Sequence, residues 1–365
     1  MNLLTSWFKR TFADPQVVIL GLVLVIGFAI VLGFGRMLAP VFASIVIAYL
    51  LEAVVAQLRR VGLPRFLAVL LVFLFFLACS FFLLFGLIPM LTRQLTQLVQ
   101  QMPAYINQGQ DLLLQLPQRY PQLISEQQIE QVMANAGADI RAAGQQLLTW
   151  SLGSVGNIVE LLVLVILVPV LVFFLLKDKR KLIDWISGFL PKDRHLVSSV
   201  WVDVEHQIAN YVRGKAGEIV LVGSVSYITF ILLGLEYAAL LATMVGFSVL
   251  IPYIGAAVIT VPIALVAFFQ WGWGWDFGYV MIAYAIIQAL DGNILVPLLF
   301  SEALNLHPVA IIVAILVFGG VWGFWGIFFA IPLATLVQAV LKAWPRHQDD
   351  DVPAVEIATD VSPPA

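Results

Sequence analysis

The sequence predicts an all-α polytopic membrane protein of about eight transmembrane or broken helices, with a helical extracytoplasmic segment. Three observations carry that prediction. Of 365 residues, 61% are hydrophobic and 11% are charged, whereas a soluble domain carries about 25% charged residues. The apolar residues fall in long runs; residues 17–35 contain no charge, and such a run at about 1.5 Å per residue reaches roughly 28 Å, close to the hydrocarbon thickness of a bilayer. The basic residues, finally, are sorted to one side of the runs.

Further runs cover residues 66–91, 161–176, 219–235, 237–270, 277–289 and 309–341. Backbone N–H and C=O groups in lipid must be satisfied within their own segment, so these runs read as helices. Lys9 and Arg10 precede the first run, which resembles a signal peptide but is longer and lacks a convincing small-residue cleavage site, so it is taken as an uncleaved span. Arg36 lies between the first span and a second that ends near Arg59 and Arg60. Counted along the chain, 15 of the 19 basic residues lie on one side, including the eight from Lys177 to Lys215. The positive-inside rule then puts both termini in the cytoplasm of a bacterial inner membrane.

The expected organisation is three membrane spans in 1–91, an extracytoplasmic helical segment in 92–154, a fourth span in 155–176 and a basic amphipathic cytoplasmic loop in 177–215. A C-terminal core follows in 216–341, and a disordered cytoplasmic tail in 342–365. Leu91, Leu95, Leu98 and Met102 recur at helical spacing, which gives the outer segment an amphipathic helix. The inner loop meets the lipid headgroups through its basic residues. The tail is acidic and rich in proline.

The core contains an internal repeat. Residues 235–255 and 306–326 align without gaps, matching Leu235, Ala239, Phe247 and Gly255 to Leu306, Ala310, Phe318 and Gly326, with Pro262 and Pro332 a few residues beyond. The runs that hold them, 237–270 and 309–341, are too long for one ordinary span. Each has breakers in its middle: Pro252 and Gly255 in the first; Gly319, Gly320, Gly323 and Gly326 in the second. A broken helix or a re-entrant hairpin accounts for both. Paired interrupted segments of this kind point to the central site of a transporter.

Ionisable groups at membrane depth are costly and mark candidate sites. Asp291, in Gln288-Ala-Leu-Asp-Gly-Asn293, is the sharpest. It reads as a proton- or cation-binding carboxylate, as a hydrogen-bonding wall for a polar solute, or as a hydrogen-bonding tie between two helices. Gln288 is one turn earlier, Gly292 permits close approach, and Asn293 and Pro297 complete the segment. Tyr253 and His307 are further candidates for the pathway. Glu218 is expected to form an interfacial ion pair, and Glu52 to pair near Arg59 and Arg60. The single cysteine, Cys79, excludes an intrachain disulfide and a cysteine-rich metal site. No His-Glu-x-x-His site and no phosphate-binding Gly-Lys-Ser/Thr loop occurs, so no ATP-driven pump is encoded here. Gly246-Phe247-Ser248, with His307 as base, is a short match to an intramembrane serine protease, but Ser in a small-residue helix more often serves packing. No cofactor, metal or nucleic-acid partner is expected.

Six stretches carry a resemblance. They are Phe173-Phe-Leu-Leu-Lys-Asp178, Tyr211-Val-Arg-Gly-Lys215, Leu250-Ile-Pro-Tyr-Ile-Gly255, Asp291-Gly-Asn-Ile-Leu-Val-Pro297, Leu304-Asn-Leu-His-Pro308 and Phe318-Gly-Gly-Val-Trp-Gly-Phe-Trp-Gly326. In this order they resemble the autoinducer-2 exporter family of permeases, and within it the PerM branch. The resemblance implies about eight membrane helices, a helical outer segment, assembly as a homo-oligomer and secondary transport of a small polar solute, or of a cation in exchange for protons. It implies no catalytic residues. A membrane scaffold and a passive channel are the alternative readings.

Overall fold

The computed structural model describes residues 15–119, 158–188, 195–252, 254–300 and 306–343, with a few positions between 137 and 149. All regular elements among the described residues are helical. Six of the helices are long and apolar enough to cross a membrane, and two shorter apolar helices join them, Val165–Lys177 and Ala238–Ser248. The chain is thus a multi-pass membrane protein. The acidic tail and most of residues 120–157 lie outside the described residues.

The N-terminal bundle combines α1 (Pro15–Arg60), α2 (Arg65–Phe82) and α4 (Ile158–Lys177). Ala48 and Val55 of α1, Val69 and Val72 of α2, and Val168 and Val172 of α4 form its core. The structure differs from the sequence reading at Arg36, where a turn between two spans was expected. Helix α1 is continuous over 46 residues, about 69 Å, and runs through Arg36 and Pro40. Proline removes one backbone donor, but the apolar neighbours on both sides keep the helical conformation. Ser44, fully buried, donates from Oγ to the Pro40 carbonyl at 2.6 Å and to the Val168 carbonyl of α4 at 3.4 Å.

Nor does the chain break at 91/92. Helix α2 passes through a π-helical turn at Leu83–Leu87 straight into α3 (Ile88–Arg119). A second π-turn, Asp291–Leu295, joins α9 (Trp275–Leu290) to α10 (Val296–Phe300). Each π-turn ends two residues before a proline, Pro89 or Pro297. A proline cannot donate to the carbonyl four residues earlier, and its ring collides with that carbonyl. Widening the preceding turn to five-residue hydrogen bonds, as from Ile88 to Leu83 and from Val296 to Asp291, relieves the clash.

Helix α6 (His195–Leu232) follows the short α5 (Lys179–Ser187) and runs through the expected loop boundary at residue 215. It crosses α7 (Ala238–Ser248) at close range. A Cβ on Gly246 would stand 2.9 Å from the Ile219 carbonyl oxygen and 3.2 Å from Gly223 Cα, so only small residues allow this approach.

Both long C-terminal runs are hairpins. Helix α7 ends at Ser248, and α8 (Ile254–Trp271) returns beside it; a Cβ at Gly255 would overlap the Ser248 carbonyl. In the second run, α11 (Pro308–Phe328) is interrupted at Gly323, whose φ of 60° is open to glycine and costly for other residues, and the chain returns into α12 (Ala330–Ala343). A Cβ at Gly326 would overlap the Phe318 carbonyl. Residues seven or eight apart touch in both places, which no continuous helix permits. Gly255 and Gly326 are the paired positions of the sequence repeat, so the repeat is a repeat of one tight reversal. Because α9 and α10 cross the bundle between the hairpins, the two open toward opposite ends. Leu250 and Ile251 at the first tip share a core with Ile311, Ile315, Phe318 and Phe328 of the second.

Substituting alanine at Gly255 or Gly326 is expected to destabilise the protein by upward of about 2 kcal/mol. Alanine at Gly320, which has open space around it, should leave thermal unfolding in detergent unchanged or slightly raised.

A buried charge cluster at the hairpin tips

Tyr211, Lys215 and Glu218 lie at spacings of four and three on α6 and so share one face. Lys215 is 4% exposed and Glu218 1%. The Lys215 ammonium donates to Glu218 Oε2 at 2.7 Å and to the Val249 carbonyl at 2.7 Å. Val249 caps the C-terminal end of α7, where the last carbonyls lack helical partners. One side chain thereby ties α6 to the tip of the first hairpin. The same ammonium lies 5.2 Å from the centre of the Phe300 ring. Phe300 fits against α6 through the space at Gly214, where a Cβ would come within 2.7 Å of its ring.

Asp291 enters from the π-turn. It is half-buried, lies within electrostatic reach of both Lys215 and Glu218, and its Oδ1 has no hydrogen-bond partner among the described residues. With Leu221, Val225, Leu290 and Ile294 it lines an otherwise apolar crevice of about 250 Å³ between α6 and α9. The Tyr211 hydroxyl, in a side chain 2% exposed, likewise has no hydrogen-bond partner among the described residues and feels the charge of Glu218. A second cavity, about 320 Å³, opens at the base of the first hairpin among Gln94, Gln97, Gln101, Glu236 and Tyr237. Gln94 Oε1 accepts from the Leu240 N–H there, at 2.8 Å. Leu91, Leu95 and Leu98, the expected stripe of the outer segment, pack on the hairpin core.

The other sequence candidates separate. Gln288 is half-buried one turn before Asp291. Asn293 is exposed and donates to the Ala289 carbonyl at 2.8 Å. Gly292 and Pro297 are exposed, with nothing near the missing Cβ of Gly292. His307 caps α11, its Nδ1 accepting from the Val309 N–H at 3.3 Å. Pro252 lies in the first hairpin turn, Gly319 packs under Ile327, and Pro332 is buried in α12. Tyr253 lies outside the described residues. Ser248 Oγ donates to the Val245 carbonyl at 2.7 Å, and no hydrogen bond among the described residues joins it to His307, so the serine-protease match reduces to helix packing.

Two ion pairs differ from expectation. Glu218 pairs with Lys215, with both side chains buried within the protein. Glu52 approaches Arg65 at 4.0 Å, and Arg65 also donates to the Leu176 carbonyl at the end of α4, at 3.2 Å. Sequence reasoning missed Lys215 because it follows Arg213 and passes for one more cytoplasmic charge. The Tyr211-Lys215-Glu218 spacing was the available signal. Among the described residues no group of three or more His, Cys, Asp or Glu could hold a metal. What the cluster offers is one ammonium against two carboxylates in an apolar setting, an arrangement able to exchange a proton or a small cation.

The sequence profile of the AI-2E family transporters matches residues 18–346. The chain belongs to the AI-2E transporter family. It is 44% identical over 348 residues to "Putative permease PerM" of Escherichia coli K12, covering 95% of this chain and 99% of that protein. It is 28% identical over 309 residues to "Putative transport protein YueF" of Bacillus subtilis, covering 82% of each. Within this AI-2E transporter, Glu218→Gln strands a buried ammonium and should cost roughly 3–5 kcal/mol, whereas replacing both partners, as in Lys215→Met with Glu218→Gln, should restore most of that loss. Unfolding midpoints of the purified variants, measured side by side, check this.

Proposed function

We propose that this AI-2E transporter is a secondary permease of the bacterial inner membrane that exchanges a cation for protons or moves a small polar solute. Its C-terminal end is cytoplasmic and, because α1 crosses once without turning at Arg36, the start of α1 is at the opposite face. Its pathway runs between the two hairpin tips, past Lys215, Glu218 and Asp291. The observation that carries this reading is a buried charge cluster bonded to the tip of the first hairpin, which shares its core with a second hairpin that opens the other way. Interrupted helices leave carbonyls and N–H groups free at mid-depth, where they serve as ligands for cargo. With both carboxylates ionised, the cluster has one negative charge in excess, and in a low-dielectric bundle a bound proton or cation balances it. The glutamine-lined cavity beside Glu236 gives a polar approach from the outer end. Assembly into a homo-oligomer would cover part of the apolar surface not facing lipid.

Proton flux in proteoliposomes on adding sodium or potassium tests the reading. The natural protein should give cation-dependent flux, and Asp291→Asn should lower it at least about tenfold, because the amide no longer balances the charge of the exchanged ion. Absence of flux in both proteins rejects cation–proton exchange, and an undiminished Asp291→Asn rate removes Asp291 from the pathway.

A further inference from the structure

The Lys215 side chain is engaged as a bound ion would be. Its ammonium has two oxygens at 2.7 Å, one from a carboxylate and one from the carbonyl at the C-terminal end of α7. That helix end carries partial negative charge. The Phe300 ring closes another side at 5.2 Å, a surface that attracts cations and suits weakly hydrated ones. Asp291, with an oxygen free of partners among the described residues, is the nearby second carboxylate. Each of these groups comes from a different part of the fold: α6, the first hairpin tip, α10 and the π-turn.

We infer that Lys215 is the tethered occupant of a cation site formed by Glu218, the Val249 carbonyl and Phe300, and that the free ion taken by this site is a monovalent cation of about the size of ammonium. The inference rests on reading the cluster as the transport site, and it gives the cargo a chemical class. With each oxygen 2.7 Å from the ammonium nitrogen, the site arranged around Lys215 is wider than calcium takes, at about 2.3–2.6 Å from its ligands, or magnesium, at about 2.0–2.1 Å. Glu218 balances one positive charge, as it does for the Lys215 ammonium, which suits a singly charged ion such as potassium or rubidium better than a divalent one. Lysine is a flexible, compact point charge on a four-carbon stem, so it can leave the site without moving α6. When a free cation replaces it, the hydrogen-bonded tie from α6 to the hairpin tip is lost while the charge at Glu218 stays balanced. Occupancy and tip freedom are then one event.

The test removes the tether. In Lys215→Met, potassium chloride in place of choline chloride at equal ionic strength should raise the unfolding midpoint of the purified protein by at least about 3 °C, as binding to the folded state alone requires. Rubidium should act similarly and magnesium little. The natural protein, with its site filled, should respond less, and Lys215→Met combined with Glu218→Gln should not respond. A Lys215→Met protein indifferent to potassium overturns the inference. So does one that fails to fold in either salt while the double variant folds, since a merely structural ion pair predicts that pattern. A potassium response without proteoliposome flux would reject the transport reading and leave the cation site standing, whereas flux without a potassium response would do the reverse.

Discussion

A chain that reverses inside an apolar bundle must find partners for the backbone groups that the reversal exposes. Much of this structure follows from how that requirement is met. At the first hairpin tip the partner of the Val249 carbonyl is the Lys215 ammonium, so a backbone need is answered by a charge. That charge then needs its own counter-ion, and Glu218 supplies it one turn along the same helix. Removing a charge pair from water is expensive and is repaid only when each hydrogen-bonding position is used. The tip, the lysine and the glutamate are therefore a unit, and removing one charge alone strands the other in the bundle.

The close backbone contacts are the other half of the constraint. The hairpins can be narrow only where no Cβ intervenes, at Gly255 against Ser248 and at Gly326 against Phe318. Gly246 does the same for the crossing of α7 over α6. These contacts bring the first tip deep enough to touch Lys215, and they let Leu250 and Ile251 reach the core of the second hairpin. Sequence repeat, glycine placement and charge cluster are thus consequences of one geometry.

Much of this was legible in the sequence. Composition and run length gave the all-helical membrane class, because lipid leaves the backbone few other options. The two overlong runs with central breakers announced interrupted segments, and only the contact across each glycine decided that both are hairpins. Asp291 was visible as an acid in an apolar stretch. Lys215 was not, because a lysine beside Arg213 at the edge of a run looks the same whether it faces headgroups or turns inward; the direction depends on which face of α6 the hairpin covers. His307 and Asn293 were polar residues in suggestive places, yet local geometry uses one as a helix cap and the other as a back-bond to its own helix. The continuous α1 escaped notice because hydropathy registers a charge at Arg36 and a proline at 40, and neither reports whether the helix actually turns.

The π-turn at Asp291–Leu295 has an effect on the helix as a shaft. Each residue of an α-helix advances the side-chain direction by about 100°, and a five-residue hydrogen-bonded turn inserts one residue's worth of extra rotation. The helix therefore faces one neighbour above the turn and another below it. Val280, Tyr284 and Ile287 engage the core of the first hairpin, and Val296, Leu299 and Phe300 engage the core of the second. A single rod of uniform pitch could not present apolar faces to both. Pro297 maintains this offset as a key maintains the phase between two gears, so the two hairpins are mechanically geared to each other through one transmission helix.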